Sequence, residues 1–265
     1  MLVWSSRGRA FAWGIAAIVI VGVFAAPMLV IVLASLAGQW NGILPINLTI
    51  AHYSGAMQGE YRDQIVASIV TGAIASLVAL SFGTWAALVL KGMRAQARRL
   101  YNLVFFIPSA VPSVSVGLGL LVAFSRPPVL LNGTIMIVVA AHLVLVLAFS
   151  FGNVSAGLDR LPPEIDQMAE SLGARPLYRL RRVTIPMVMP YLLSAFCLSF
   201  ALSMGELGAT VMVYPPGWVT LPVGIFALTD RGEIFSGAAL AVVLVVGTLA
   251  VLFGTSLIPN RAAQR

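Results

Sequence analysis

Apolar residues form six long runs along this chain, separated by shorter polar segments. The runs cover residues 11–36, 64–90, 103–125, 135–158, 186–214 and 236–258. A transmembrane helix needs about 20 apolar residues, whereas the strands of a membrane barrel would alternate over about 10. The pattern therefore predicts an all-α polytopic membrane protein with six transmembrane helices, in a single domain that covers residues 1–265.

Composition agrees with a membrane location. Hydrophobic residues make up 60% of the chain and charged residues 9%, against roughly 25% charged residues in a soluble domain. The first run follows a basic head and could be part of a signal peptide, with Val23-Phe24-Ala25 as a weak cleavage site. Because the run continues to Leu36, a retained span is favoured.

The positive charges predict the orientation. Thirteen of the sixteen Lys and Arg residues lie in the head, in residues 91–102, in residues 159–185 and in the tail. Basic residues accumulate in the cytoplasmic loops of membrane proteins. We therefore expect both termini and residues 159–185 in the cytoplasm, and the net charge of +7 does not indicate nucleic acid.

Residues 159–185, here called the coupling loop, hold four of the nine acidic residues. Pro163 can start a helix there, with Glu164 near its positive end, and Gly173 suits the left-handed residue that ends one. An apolar stripe at helical spacing is formed by Ile165, Met168, Ala169 and Leu172. This pattern predicts a short helix that binds a groove in a partner protein. A loop lying on anionic lipid is the alternative, but it leaves the acidic first turn unexplained.

The same loop resembles the EAA motif of the permease subunits of ABC importers. That motif reads Glu-Ala-Ala, three residues, Gly, nine residues, and Ile-x-Leu-Pro; here Gln167-Met168-Ala169, Gly173 and Val183-Thr184-Ile185-Pro186 hold these places. Gln167 replaces the motif glutamate, and Glu170 is the alternative carboxylate. The resemblance implies a type I importer permease (MetI-like) fold with an ATPase-coupling site at Glu164, Met168, Ala169, Glu170, Leu172, Gly173 and Ala174.

Two further stretches resemble particular groups of these permeases. Residues 205–210, GELGAT, are similar to the GEFGAT-like signature of sulfate, molybdate, thiamine and related permeases. Residues 108–125 and 204–232 resemble the permeases of bacterial 2-aminoethylphosphonate importers. The resemblance implies import of this small solute, with sulfate, molybdate, thiamine or a polyamine as the alternatives.

The resemblance also implies partners in a bacterial inner membrane. These are a second permease, identical or homologous, two cytoplasmic ATPase subunits and a periplasmic binding protein. The sequence has no GxxxxGK[ST] phosphate loop, so we expect ATP to bind the partner and this chain to need no cofactor and to be no enzyme. An ion-coupled secondary transporter leaves the acidic helix unexplained, and a membrane-embedded enzyme would need catalytic groups that do not converge here.

Two ionisable residues lie inside predicted spans, His142 and Glu206. Such groups are costly in lipid and face a bundle interior or a wet cavity. Both lie roughly 10–12 Å below the outer surface at 1.5 Å per residue, a depth that permits a bond between them. We expect a translocation pathway at His142, Glu206, Ser109 and Ser113. Alternatively, Glu206 braces the following loop through backbone donors and His142 is a satisfied interior histidine.

Prolines and small residues in the third run, residues 103–125, predict the shape of this span. Pro108 and Pro112 predict a kink. Two pairs of small residues, each four apart, predict close approach of another helix: Ser113 with Gly117, and Ser115 with Gly119. The six runs contain no Lys or Arg, so a tight phosphonate site is not expected in the membrane, and selectivity is expected in the binding protein. Two histidines and one cysteine, Cys197, cannot build a metal cluster or an internal disulfide.

Overall fold

The computed structural model describes residues 5–56 and 58–257. Within these ranges the regular elements are helices, apart from an isolated antiparallel bridge between Gln39 and Ile46. The described residues fall into two compact units. The first comprises the chain up to Arg62 together with Gly224–Val245, and the second comprises Asp63–Val223 together with the chain from Val246.

In the described residues eleven helices, numbered α1 to α11 in the order given at the end of this paragraph, overlap every run that the sequence predicts to span the membrane. Five of them (α1, α3, α6, α8 and α11) are long and apolar enough to cross a bilayer, and α4 with α5 makes six if that bent pair counts as one span. The predicted ends at Ile258 and in the basic tail lie outside the described residues. In order, the helices are Ser6–Leu36, Ala51–Ala56, Gly59–Lys91, Ala95–Ala110, Ser113–Ala123, Ile135–Asp159, Pro163–Ser171, Pro176–Met204, Gly208–Val213, Leu221–Asp230 and Ile234–Ser256.

The third predicted span, residues 103–125, is not one kinked helix but two helices. Helix α4 already begins at Ala95, inside the segment predicted as a basic loop, and α5 leaves it at an angle of 98°. Between them Val111 has extended backbone and Pro112 follows it. Proline has no N–H to donate and disfavours helical backbone in the residue before it. The chain therefore turns sharply here, more than the predicted kink.

The fifth predicted span, residues 186–214, is also broken, and its start is different. Helix α8 begins at Pro176, because a π-helical turn over Leu180–Thr184 carries the helix on through Pro186, and it ends at Met204. After Gly205–Leu207 the short helix α9 begins. The segment between the fifth and sixth predicted spans, residues 215–235, contains the apolar helix α10. Hydrophobicity alone does not reveal these changes. Three arginines separate Pro176 from the apolar run, and the apolar stretch of α10 is too short to be recognised as a span.

Helices α3, α6 and α8 form the main apolar core of the second unit. Phe151 and Val154 of α6 pack with Ala86 of α3 and with Val188 and Ala195 of α8. Their close approach depends on small residues. A Cβ atom on Gly83 would come within 2.9 Å of the Phe151 backbone nitrogen, so α3 and α6 could not lie at this distance with a larger residue there.

Polar side chains of α3 hold the segment that follows α9. The indole N–H of Trp218 donates to Thr71 Oγ1 at 2.9 Å, and the backbone N–H of Leu221 donates to Ser68 Oγ at 2.7 Å. The side chains of Ser68 and Thr71 are both buried. Since buried donors need acceptors, these bonds fix the path of the chain between α9 and α10.

In the first unit, the polar loop after α1 is tied down by side chains. The hydroxyls of Ser35 and Tyr53 lie 2.5 Å apart. His52 Nε2 donates to the Ala37 carbonyl at 3.1 Å, and its Nδ1 lies 3.5 Å from Ser236 Oγ at the start of α11. These contacts connect α1, the loop and α11 within this unit.

The crossing of α5 and α9 gives a matched pair of glycine substitutions. A Cβ on Gly117 would come within 2.6 Å of the Ala209 carbonyl oxygen, whereas a Cβ on Gly119 meets nothing within 4 Å in the described chain. We expect Gly117→Ala to destabilise the purified permease by about 1–3 kcal/mol through overpacking. Gly119→Ala should leave thermal stability in detergent unchanged or slightly higher. Equal stability of the two variants would contradict this close crossing.

Candidate functional site

A cavity of about 240 Å³ lies where the two broken spans approach each other. All four residues predicted for the translocation pathway line it: Ser109 at the end of α4, Ser113 at the start of α5, His142 of α6 and Glu206 in the break after α8. The remaining lining comes from Val111, Leu145, Val146, Phe149, Leu202 and Ser203. The structure thus brings together residues that are up to 97 positions apart in the sequence.

His142 is buried, with 2% of its surface exposed, and both ring nitrogens have partners. Nδ1 lies 2.6 Å from Ser203 Oγ and Nε2 lies 2.8 Å from Thr210 Oγ1. The predicted depths of His142 and Glu206 allowed a bond between them. That bond is not formed, because hydroxyl groups bind both ring nitrogens of His142. His142 has the satisfied interior environment of the alternative interpretation, and it also lines the cavity.

Glu206 stabilises the start of helix α9. Its Oε1 accepts the backbone N–H of Ala209 at 2.7 Å, one of the N–H groups that the first turn of a helix leaves without an intrahelical partner. This is the backbone bracing expected in the alternative interpretation of this residue. The side chain also borders the cavity, so Glu206 combines a structural contact with a position at the cavity wall.

The charge of the cavity wall is one-sided. Among its ten lining residues Glu206 is the one acidic residue, and there is no Lys or Arg. Serine hydroxyls and His142 supply the other polar groups. Such a wall offers hydrogen bonds and a single negative charge, so it is not built to hold a phosphonate by ion pairing.

Sequence reasoning missed Ser203 and Thr210, the two partners of His142. Neither is ionisable, so the cost of burying charge did not single them out. Their spacing carried a signal, because they lie three residues before and four residues after Glu206. Residues at such spacings share one face of a helix, which is the face that carries the acidic residue.

The coupling loop contains the predicted short helix as α7, Pro163–Ser171. Gly173 follows it with φ of +79°, the left-handed conformation expected at a helix end. Within the predicted apolar stripe, Met168 and Leu172 are 65% and 86% exposed, while Ile165 and Ala169 are half-buried. The stripe is thus divided: part of it packs on the protein and part of it is open.

Arg179 holds α7 against the start of α8. Its Nη1 lies 2.7 Å from Glu170 Oε2 and 3.7 Å from Asp166 Oδ2. Glu170, the alternative to the missing motif glutamate, is thus engaged within the loop. An open groove of about 500 Å³ lies beside this pair, lined by the candidate coupling residues Ala169, Leu172, Gly173 and Ala174 and by Arg175, Tyr178 and Val183.

The fold is that of ABC importer permeases. A solved bacterial ABC transporter that imports the acidic polysaccharide alginate superposes with a TM-score of 0.74 at 15% identity, covering 97% of this chain and 96% of that one. A structure of the bacterial alginate transporter in complex with an alginate pentasaccharide-bound periplasmic protein gives 0.73 at 16% identity, covering 93% and 92%. These likenesses define the class of membrane protein by its fold.

Sequence comparison gives the family. The family model described as the binding-protein-dependent transport system inner membrane component matches residues 79–262, and the chain belongs to this family of transport permeases. A Salmonella paratyphi A protein, named as the permease PhnV of a 2-aminoethylphosphonate transport system, is 52% identical over 265 residues, which covers 100% of both chains. The chain is therefore a multi-pass permease of the inner membrane.

Proposed function

We propose that this chain is the permease of an ATP-driven importer for 2-aminoethylphosphonate, delivered by a periplasmic binding protein. The observation that carries the proposal is the 52% identity with PhnV along the whole length of both chains. The complete importer would contain a second permease, identical or homologous, and two cytoplasmic ATPase subunits. A structure of the bacterial alginate transporter with a bound periplasmic protein supports this kind of assembly.

The cavity at His142 and Glu206 is proposed as part of the pathway for the solute. 2-Aminoethylphosphonate carries a cationic ammonium group as well as its phosphonate group. The ammonium group can pass beside the Glu206 carboxylate, and the Ser113 hydroxyl can donate to a phosphonate oxygen. The Ser109 hydroxyl donates to the Phe106 carbonyl at 2.7 Å and would have to turn away from it to bind the solute. Because no Lys or Arg lines the cavity, the solute is held weakly and can leave, and selectivity belongs mainly to the binding protein.

Helix α7 is proposed to couple this permease to its ATPase. Met168 and Leu172 are the most exposed apolar side chains of its stripe, and an amphipathic helix binds by placing such side chains in a groove. The ion pair of Arg179 with Glu170 joins α7 to the start of α8. Movement of an ATPase subunit would then displace α7 and the start of α8 together.

The orientation follows from charge and stays part of the proposal. The Lys and Arg residues of the head, of residues 91–102 and of the coupling loop outnumber those of the other loops. The positive-inside rule then places both termini and the coupling loop in the cytoplasm, where ATPase subunits can reach α7.

Reconstitution of the complete importer tests the proposed function. We expect 2-aminoethylphosphonate uptake into proteoliposomes only when the ATPase subunits, ATP and the loaded binding protein are all present. Sulfate and putrescine, offered with the same binding protein, are the controls. Uptake driven by an ion gradient without ATP would contradict the proposal. Faster uptake of a control solute than of 2-aminoethylphosphonate would show that the substrate is a different one.

Glu206→Gln tests the role of the cavity. The amide oxygen of Gln can still accept the Ala209 N–H, so we expect normal assembly and thermal stability. Uptake should fall by about tenfold, the effect of losing one charge-assisted contact with the solute. The measurement is the initial rate of uptake at saturating ATP, with Glu206→Asp as the control that keeps the charge. An unchanged rate for Glu206→Gln would remove this carboxylate from the pathway.

Leu172→Asp tests the coupling helix. A charge placed in an apolar contact surface should weaken binding of the ATPase by about 2 kcal/mol or more, a typical cost at a central contact residue. We expect less ATPase to copurify with the permease and uptake to fall in parallel. Leu172→Met keeps an apolar side chain and should behave like the unmodified protein. If the ATPase copurifies equally with both variants, Leu172 does not contact it.

A further inference from the structure

A chain of hydrogen bonds crosses the break in the fifth span. Ser203 lies in the last turn of α8, and Thr210 lies in the first turn of α9, on opposite sides of Gly205–Leu207. His142, which belongs to neither helix, bonds to both hydroxyls, at 2.6 Å and 2.8 Å. The Thr210 hydroxyl continues the chain to the Glu206 carbonyl oxygen at 3.4 Å.

The donor and the acceptor of each of these hydrogen bonds can be assigned by starting from the Glu206 carbonyl. The Glu206 carbonyl can only accept, so the Thr210 hydroxyl donates to it. Thr210 Oγ1 then accepts from His142 Nε2–H, which leaves Nδ1 as the acceptor of the Ser203 hydroxyl proton. A neutral histidine satisfies every bond of the chain, with its proton on Nε2. All the bonds point one way, the arrangement in which neighbouring hydrogen bonds strengthen one another.

The three residues that carry this chain of hydrogen bonds are buried: Ser203, Thr210 and His142 are 3%, 0% and 2% exposed. His142 and Ser203 meet open space at the cavity wall. A buried polar group without a partner is strongly unfavourable. The two halves of the span can therefore change their mutual angle only by breaking bonds to His142 or by moving together with it.

We propose that His142 is a positioning residue for transport, which fixes the angle between α8 and α9 and so the place of the Glu206 carboxylate at the cavity wall. Glu206 lies between the two hydroxyls that His142 binds, and its own side chain caps α9 through the Ala209 N–H. The cavity wall at this point thus depends on a histidine of a different helix. The inference rests on the proposed function of the cavity as a pathway.

The test combines a distance across the break with uptake, in the complete importer reconstituted in lipid. Spin labels are placed at Leu198 of α8 and Met212 of α9, which are 39% and 36% exposed, after replacement of the one cysteine by Cys197→Ser. The variants are His142→Leu, which removes both bonds, and His142→Gln, whose amide can both donate and accept. Ser203→Ala combined with Thr210→Val removes only the hydroxyls.

The matched control is Ser150→Ala. Ser150 is fully buried in the same helix as His142, and its hydroxyl has no hydrogen-bond partner among the residues that the structure describes. Deleting it removes a buried oxygen atom without touching the break. This variant should keep the distance distribution and the uptake rate of the unmodified importer.

We expect His142→Leu to broaden the distance distribution and to lower the maximal uptake rate by about tenfold, as loss of a positioning bond would. The Ser203→Ala, Thr210→Val pair should do the same, and it serves as the test if His142→Leu fails to fold. His142→Gln should restore at least part of both readouts.

An unchanged, narrow distribution in the hydroxyl pair and in His142→Leu would overturn the positioning role, whatever the uptake rate. Failure of the proposed function would give a different result. The unmodified importer would show no 2-aminoethylphosphonate uptake at all, while the distance between the spin labels would still change in the His142 variants.

Discussion

The structure depends on the need to satisfy backbone polar groups at two breaks inside membrane-spanning segments. A helix interrupted in lipid leaves N–H and C=O groups without partners, and such breaks are tolerated only where protein or a wet cavity covers them. Here α5 crosses α9 so closely that Gly117 has no room for a Cβ beside Ala209. Glu206 caps the first turn of α9, and Thr210 bonds to the Glu206 carbonyl. The cavity lies at these breaks because that is where the helices part.

One helix connects this cavity to the coupling loop. Helix α8 starts at Pro176, beside Arg179 and its partner Glu170, and ends at Met204, one residue after the partner of His142. At 1.5 Å per residue, its 29 residues extend over about 43 Å. In the proposed coupling role, a displacement of α7 would reach the cavity along this one helix, which has an ion pair at one end and a hydrogen-bonded histidine at the other.

The sequence predicted the features that rest on strong local rules. Long apolar runs located the spans, Gly173 predicted the end of α7, and the cost of burying ionisable groups singled out His142 and Glu206. It did not predict the two breaks, because the residues around them are mostly apolar. It also did not predict that the helix starting in the coupling loop continues into the fifth span, because three arginines lie between its start and the apolar run. Ser203 and Thr210 were also missed, since their one signal in the sequence is their spacing from Glu206, and their role becomes visible only when the fold places them beside His142. The broken geometry is a tertiary property, fixed by contacts between distant segments.

Solvent access to the cavity during the transport cycle tests the central claim most directly. In the importer carrying Cys197→Ser, Ser109→Cys places a thiol at the cavity wall, where a small water-soluble thiol reagent can report on access. If the cavity belongs to the pathway, the thiol reacts, and ATP with loaded binding protein changes the rate of its modification, while free 2-aminoethylphosphonate added during turnover slows it. A thiol that never reacts, or that reacts at one rate in every state, would contradict a pathway through this cavity.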